Sequence, residues 1–207
     1  MNRIALATLA LFALATTRAD AGLTKGRTLK TGQATNYGDG SDGDLRRGLP
    51  RLFTDLGYGM IKDNRTGLIW EKKTNDGSIH DVHALYSWST GEPWQANGTA
   101  FTTFLATLNS IPCFAGNCDW RLPNLNELES IRNLGASFPA AFLAFNQSCP
   151  SGCTNTECSC TTPGGYLSTS TVDGTPSDVW VVRFNYGGCY QSTKTDLGYV
   201  RAVRGGF

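Results

Sequence analysis

Histidine is nearly absent from this chain, with two residues in 207, His80 and His83. They stand as His80-Asp81-Val82-His83, a spacing able to seed a metal site on a helix. The pattern offers no third convergent ligand, so an exposed loop pair is the expectation. A Gly-x-Ser-x-Gly elbow, a phosphate-cradling glycine loop and a His-Glu-x-x-His helix are also missing. Without a legible set of acid, base and nucleophile, no catalytic residue is assigned and the chain does not read as an enzyme. An enzyme of unrecognised type is the remote alternative. Charge is sparse and balanced, 17% of residues with a net of +1. That excludes a general nucleic-acid binder, whose affinity comes from neutralising phosphates. Beyond the N-terminus no apolar run is long enough to cross a bilayer. Neither cofactor nor metal is called for.

Cysteine, by contrast, is present seven times. The N-terminus explains why. Asn2 and Arg3 precede a mostly apolar run over 4–15, and Ala19-Asp20-Ala21 has the small-x-small form of a cleavage site. The run is too short to span a membrane and reads as a secretory signal peptide over 1–21. Gly22 rather than cysteine follows the proposed cut, so a lipid-modified cysteine is not supported there. Cleavage removes two basic residues and one acidic residue, leaving sixteen of each. The product would be periplasmic, cell-surface or secreted. An exported chain meets an oxidising environment, where disulfides are the first reading of its cysteines. Cys113 and Cys118 flank the turn-prone Phe-Ala-Gly-Asn and form the clearest pair. Cys149, Cys153, Cys158 and Cys160 staple one loop with two bridges, in any of three connectivities. Their spacing lacks the paired knuckles of a zinc site. Cys189 is left over and reads as a buried, inert thiol.

Residues 22–48 are rich in Gly, Thr and Asp and read as an extended N-terminal arm. Their Asp39-Gly40-Ser41-Asp42-Gly43-Asp44 lacks the closing Glu of a calcium loop and reads as a solvated turn. From residue 49 to 207 the chain reads as one domain. Short apolar stretches at 51–54, 59–62 and 67–71 suggest a β-meander. Phe101, Phe104, Leu105 and Leu108 make the core face of a helix over about 98–109. Val179 to Phe184 and Tyr199 to Arg204 read as strands, with Trp180, Val182 and Phe184 on one face. Two helices among short antiparallel strands place the chain in the α+β class.

The most informative stretch is Asp119-Trp120-Arg121-Leu122-Pro123-Asn124-Leu125-Asn126-Glu127-Leu128. Pro123 disfavours helix in the residue before it, Asn124 caps, and Glu127 closes a capping box. Leu125, Leu128 and Ile131 form the apolar stripe, and Gly135 offers a left-handed stop. This segment resembles the Trp-Arg-Leu-Pro-Asn…Glu-Leu signature of the Lcl C-terminal domain family. The resemblance extends over about residues 31–206. It takes in Thr31-Gly32-Gln33, Asp63-Asn64-x-Thr66-Gly67-Leu68-x-Trp70-Glu71-Lys72, and Lys194-Thr195-Asp196 through Tyr199-Val200-Arg201-Ala202-Val203-Arg204-Gly205-Gly206. The Arg-Leu-Pro…Glu corner and the Arg-bearing last strand are also distantly similar to formylglycine-generating-enzyme-like domains. That likeness implies a C-type-lectin-like architecture, with two helices packed on short twisted sheets and long disulfide-stapled loops. The paired active cysteines of those enzymes do not carry over, since Cys189 alone lies in the last forty residues. Leu56-Gly57-Tyr58-Gly59-Met60 departs from the Asn-Gly-Asp-Gly-Thr common in the family, and Leu167 stands where a Trp is frequent.

Function then reads as exported, non-enzymatic recognition or adhesion, with a glycan or a cell-surface or extracellular partner. The resemblance implies an adhesin relative associated with sulfated glycosaminoglycans, although this chain has no collagen tract. A structural subunit of a surface or fimbrial assembly is the alternative. Trp88 and Trp94 lie in polar, Gly/Pro-punctuated sequence and are the candidate stacking platforms for a sugar face. Folding onto the core is the competing reading. From Val179 onward Arg183, Lys194, Arg201 and Arg204 face Asp196 alone, so this segment is the candidate basic face. Arg201 and Arg204 should point oppositely along a strand, one structural against a buried carboxylate and one exposed. Lys194 and Arg204 are expected as the exposed pair. N-terminal sequencing of exported protein is expected to start at Gly22, and secreted material that still begins at Met1 would refute the signal-peptide reading.

Overall fold

The computed structural model describes residues 28–206. The signal-peptide expectation over 1–21 and the first part of the arm lie outside the described residues. Within them, three small antiparallel sheets and a few short helices make an α+β fold. No helix there is long and apolar enough to cross a membrane.

The meander forms as its turn residues suggest. Strands β1 (Phe53–Gly57), β2 (Met60–Asp63) and β3 (Leu68–Glu71) pair in order, and β9 (Val203–Gly205) closes the sheet on β3. Ile61 lies opposite Trp70, and Trp70 opposite Val203. A second sheet holds β5 (Gly165–Val172), β6 (Thr175–Arg183) and β7 (Gly188–Thr193) with β6 central. The two-residue strands β4 (Tyr86–Ser87) and β8 (Leu197–Gly198) pair with each other. The expected strand over 199–204 is thus divided: Tyr199 bridges Tyr166, and the regular strand resumes only at Val203.

Alternation along β6 fills two cores at once. Val179 and Val181 enter one with Trp88, Phe104, Leu108 and Trp120. Val182 and Phe184 enter the other with Trp70, Leu128, Ile131 and Phe145. Both faces of the strand are therefore buried, which explains its continuous apolar run. Trp180, expected in the core, is half-buried.

The helix over 98–109 takes an unexpected form. Ala100–Leu105 is π-helical and passes into α2 (Ala106–Leu108). Phe104, Leu105 and Leu108 are buried as the spacing predicts. Beyond the helix end, the Asn109 amide mimics a strand neighbour. Its Nδ2 donates to Trp120 O at 2.8 Å and its Oδ1 accepts from Trp120 N at 2.9 Å. The Trp-Arg-Leu-Pro corner is thereby tied to this helix.

Helix α3 (Leu125–Ser130) begins with the capping box. Glu127 N donates to Asn124 Oδ1 at 2.9 Å, and Asn124 N donates to Glu127 Oε2 at 2.8 Å. Arg121 grips the same carboxylate with two 2.7 Å bonds. The helix stops at Ile131 rather than at Gly135. Gly135 serves the arm instead, because a Cβ there would lie 2.4 Å from Gly32 O. The arm docks at this point, and Leu134 N donates to Thr31 O at 2.9 Å. Its acidic stretch forms a one-turn helix, α1 (Asp42–Leu45), capped by Ser41, with Asp44 accepting from Asn36 and Gly40. Those carboxylates serve the turn itself.

Three disulfides staple the loops: Cys113–Cys118, Cys149–Cys160 and Cys153–Cys158. One of the three connectivities for the 149–160 loop is thereby selected. Cys189 is free, and it is exposed rather than buried.

Asn124→Ala should lower stability by about 1 kcal/mol, the typical worth of such a cap. Glu127→Ala should cost more, because Arg121 then loses its partner as well. Urea denaturation of the two variants checks the order, and equal losses would contradict the three-way contact.

Candidate functional site

The sequence points to strand β3 as an ordinary core strand, yet it ends on a fully buried carboxylate. Glu71 has 0% exposure, and each of its oxygens is held. Oε1 accepts from Lys73 Nζ at 3.2 Å and lies 2.8 Å from His80 Nδ1, while Oε2 accepts from Ala202 N at 2.8 Å. Burial by itself would raise the Glu71 pKa. Lys73, His80 and the Ala202 amide outweigh it and hold the carboxyl below its ordinary value. Arg201 is buried alongside. Its Nη1 donates to Glu71 O at 2.9 Å, its Nη2 to Cys160 O and to Thr161 Oγ1, and its guanidinium faces the Phe145 ring. Lys73 Nζ lies 4.8 Å from the Phe104 ring centroid. This is a buried structural knot: Lys73 and His80 pair with Glu71, while the Arg201 guanidinium is held by neutral acceptors and its Nε has no hydrogen-bond partner among the described residues. His80 is therefore no exposed loop residue: its ring packs on Phe114 and it is half-buried, while His83 is exposed. The sequence signal for the knot was Glu71-Lys72-Lys73 ending an apolar strand, where a surface turn is the common outcome.

The expected binding face is reorganised. Trp88 is 6% exposed and Lys194 4%. Lys194 Nζ sits 4.4 Å from the Trp88 ring centroid and donates to Trp94 O at 3.3 Å. Trp88 Nε1 donates to Ser168 O at 3.0 Å. Trp88, Trp94 and Lys194 do come together, but the lysine is spent on the tryptophans and the Trp88 ring belongs to the core. The exposure expected of Trp88 and Lys194 is corrected accordingly: the lysine ammonium lies over an aromatic face, and both leave water. Trp94 is half-buried with φ 63°. Arg204 is half-buried and bound to Asp119 at 2.7 Å. Of the two, Arg201 is the buried structural member, although it meets main-chain carbonyls and Thr161 rather than a carboxylate, and Arg204 is half-buried rather than exposed.

Two open concavities lie elsewhere, against α3. Two cavities of about 410 Å³ each adjoin at Thr66, Asn126 and Ser130. One extends under the arm past Thr31, Arg51 and Arg132, the other past Arg65 and Gly206. Capped α3 places Asn126 and Ser130 one turn apart on the same face. The trough is rimmed by short hydroxyl and amide side chains among three arginines. Its carboxylates are engaged, Glu127 with Arg121 and Glu129 with Arg132 at 3.2 Å. Cys189 Sγ donates to Glu129 at 2.6 Å, and partial burial with that carboxylate pushes the thiol up to about 11. Sequence reading missed the trough because arm, turn and helix meet there from three separate regions.

A model of the Lcl C-terminal domain family matches residues 59–204. No curated protein and no solved structure matches the chain. The matched span holds every member of the Glu71 knot, while the arm and β1 precede it.

Glu71→Gln should destabilise the protein by about 3–5 kcal/mol, as expected when one partner of a buried ionic set is removed. Lys73→Met in addition should restore part of the loss, since the orphaned cation goes too. The sign with pH follows from a lowered folded pKa. The contribution is whole above the unfolded carboxyl value of about 4.3 and fades as pH falls through the folded one. Denaturation curves of wild type and Glu71→Gln should therefore converge in acid.

Proposed function

Because the chain belongs to the Lcl C-terminal domain family, we propose that it is an exported, non-enzymatic recognition module for glycans, binding in the trough beside α3. A lectin-like use of irregular loops around small sheets accompanies this reading. The observation that carries it is the meeting of two open cavities at Thr66, Asn126 and Ser130, within reach of Arg51, Arg65 and Arg132. Hydroxyl and amide groups in an open trough suit a hydroxyl-rich chain, and arginines favour one bearing negative charge. What supports a binding rather than a hydrolytic role is the state of Glu127. Glycoside hydrolysis needs one carboxyl kept protonated. Burial would raise Glu127, but Arg121 and the Asn124 amide hold it below its ordinary value.

The alternative, a subunit of a surface assembly, draws on β7. That strand is the edge of its sheet and carries the exposed Cys189, and the exposed Phe138–Tyr186 ring pair lies close by through Phe138 N to Asn185 O. Unpaired edges are natural places for strand addition.

A glycan array with the mature protein, read at two salt concentrations, separates the readings. Acidic glycans should be retained and should weaken as salt rises, because exposed charges are screened over about 8 Å at 0.15 M. Asn126→Ala and Arg65→Ala should each weaken binding about tenfold with an unchanged melting temperature, a loss of about 1.4 kcal/mol. Retention insensitive to both variants would move the site away from α3. A folded protein that retains no glycan would favour the assembly reading.

A further inference from the structure

The two disulfides of the 149–160 loop are not merely near one another: their sulfurs form a single cluster. Cys160 Sγ lies 3.7 Å from Cys158 Sγ and 3.9 Å from Cys153 Sγ. The sulfurs of Cys149, Cys153 and Cys160 all fall within 4.8 Å of one another. Cys160 is thus almost equidistant from the two ends of the Cys153–Cys158 bridge and approaches that bond from the side. A side-on sulfur is badly placed for disulfide exchange, which needs attack along the S–S axis. It is well placed for a different geometry. In a tetrahedron of four ligands every corner is equidistant from both ends of the opposite edge. For zinc bound by thiolates at about 2.3 Å, that edge is about 3.8 Å.

We propose that the four-cysteine loop has a second state in which, once reduced, Cys149, Cys153, Cys158 and Cys160 bind one zinc ion as a tetrathiolate. This goes beyond glycan recognition and is independent of it. Each bridge takes two electrons and two protons from a dithiol reductant, which leaves as its own disulfide. The four thiols then lose four protons as zinc binds. Within each former bridge the sulfurs must part from bonding distance to the tetrahedral edge. Cys160 already stands at about that edge from both Cys153 and Cys158, and Cys149 lies within 4.8 Å of Cys153, so rotation of the Cys149 and Cys158 side chains supplies most of the remaining movement.

The surroundings suit the ion. Cys153, Cys158 and Cys160 are buried with Val82 in their own apolar cluster, while Cys149 is exposed and gives a reductant entry. A zinc tetrathiolate carries two negative charges. The loop is bonded to the residues bearing the two buried cations, since Cys160 N donates to Lys73 O at 2.9 Å and Arg201 Nη2 donates to Cys160 O. Glu71 is the carboxylate in direct contact with Lys73, and it also meets Arg201 through its main chain. A dianion beside this cation-rich knot gains counter-charge from groups already in place.

Cobalt(II) reports such a site by colour. The mature protein, reduced with a trialkylphosphine and carrying Cys189→Ser, should take up one cobalt per chain. The visible ligand-field and thiolate charge-transfer bands should be those of a tetrahedral tetrathiolate, and one equivalent of zinc should bleach them. Cys153→Ser and Cys160→Ser should each abolish that spectrum, while Cys113→Ser/Cys118→Ser should leave it intact. If reduction unfolds the loop, metal should refold it, because binding and folding are then one event. Circular dichroism taken with and without zinc reads this directly. Absence of tetrahedral cobalt bands, or bands that survive Cys160→Ser, would overturn the proposal.

Discussion

Everything in this fold converges on the requirement that the Glu71 carboxylate, cut off from water, be satisfied. An isolated buried carboxylate costs several kcal/mol, so its partners must be delivered accurately. Lys73 comes from the same chain segment, His80 from the following loop, and the Ala202 amide from 131 residues further on. Arg201 then reaches the carbonyls of Glu71 and Cys160. The meander, the last strand and the cysteine-stapled loop are thus joined at one polar node between two apolar cores. Any other pairing of β3 with the chain end would strand a buried charge, so the node ties this register to this fold.

What could be read from the sequence was whatever rests on neighbours along the chain. The capping box at Asn124 and Glu127, the bridge between Cys113 and Cys118, the meander from Phe53 and the central strand through Val181 follow from spacing alone. What could not be read depends on residues brought together from afar. Nothing local to Lys194 tells that its ammonium will lie over Trp88, more than a hundred positions earlier. Nothing local to Gly135 tells that it makes room for the arm at Gly32 instead of ending a helix. His80 looked like a solvated loop residue because the carboxylate that claims it closes a strand nine residues before. Parity separated Arg201 from Arg204, but nothing local told that Arg204 would be claimed by Asp119 instead of standing free.

The trough beside α3 shows the same division. Its floor is a local feature, a short capped helix presenting Asn126 and Ser130. Its walls are the arm at Thr31 and the turn at Thr66, which fall in family-signature blocks but show no binding chemistry of their own. A trough assembled from unremarkable Thr, Ser and Asn side chains leaves little trace in composition. The conspicuous residues, the tryptophans and the C-terminal basic cluster, are mostly occupied in holding the fold together.

The pairing of β3 with β9 also fixes when the protein can fold. Leu68 to Trp70 have no partner on that side until Val203 to Gly205 arrive, so the first sheet stays open through synthesis of nearly the entire chain. Contacts of such separation slow folding, because a long loop must close before it is rewarded. Hairpins such as β1–β2 and β6–β7 can form as soon as they are made, but the first sheet gains its fourth strand only after every other element has been synthesised.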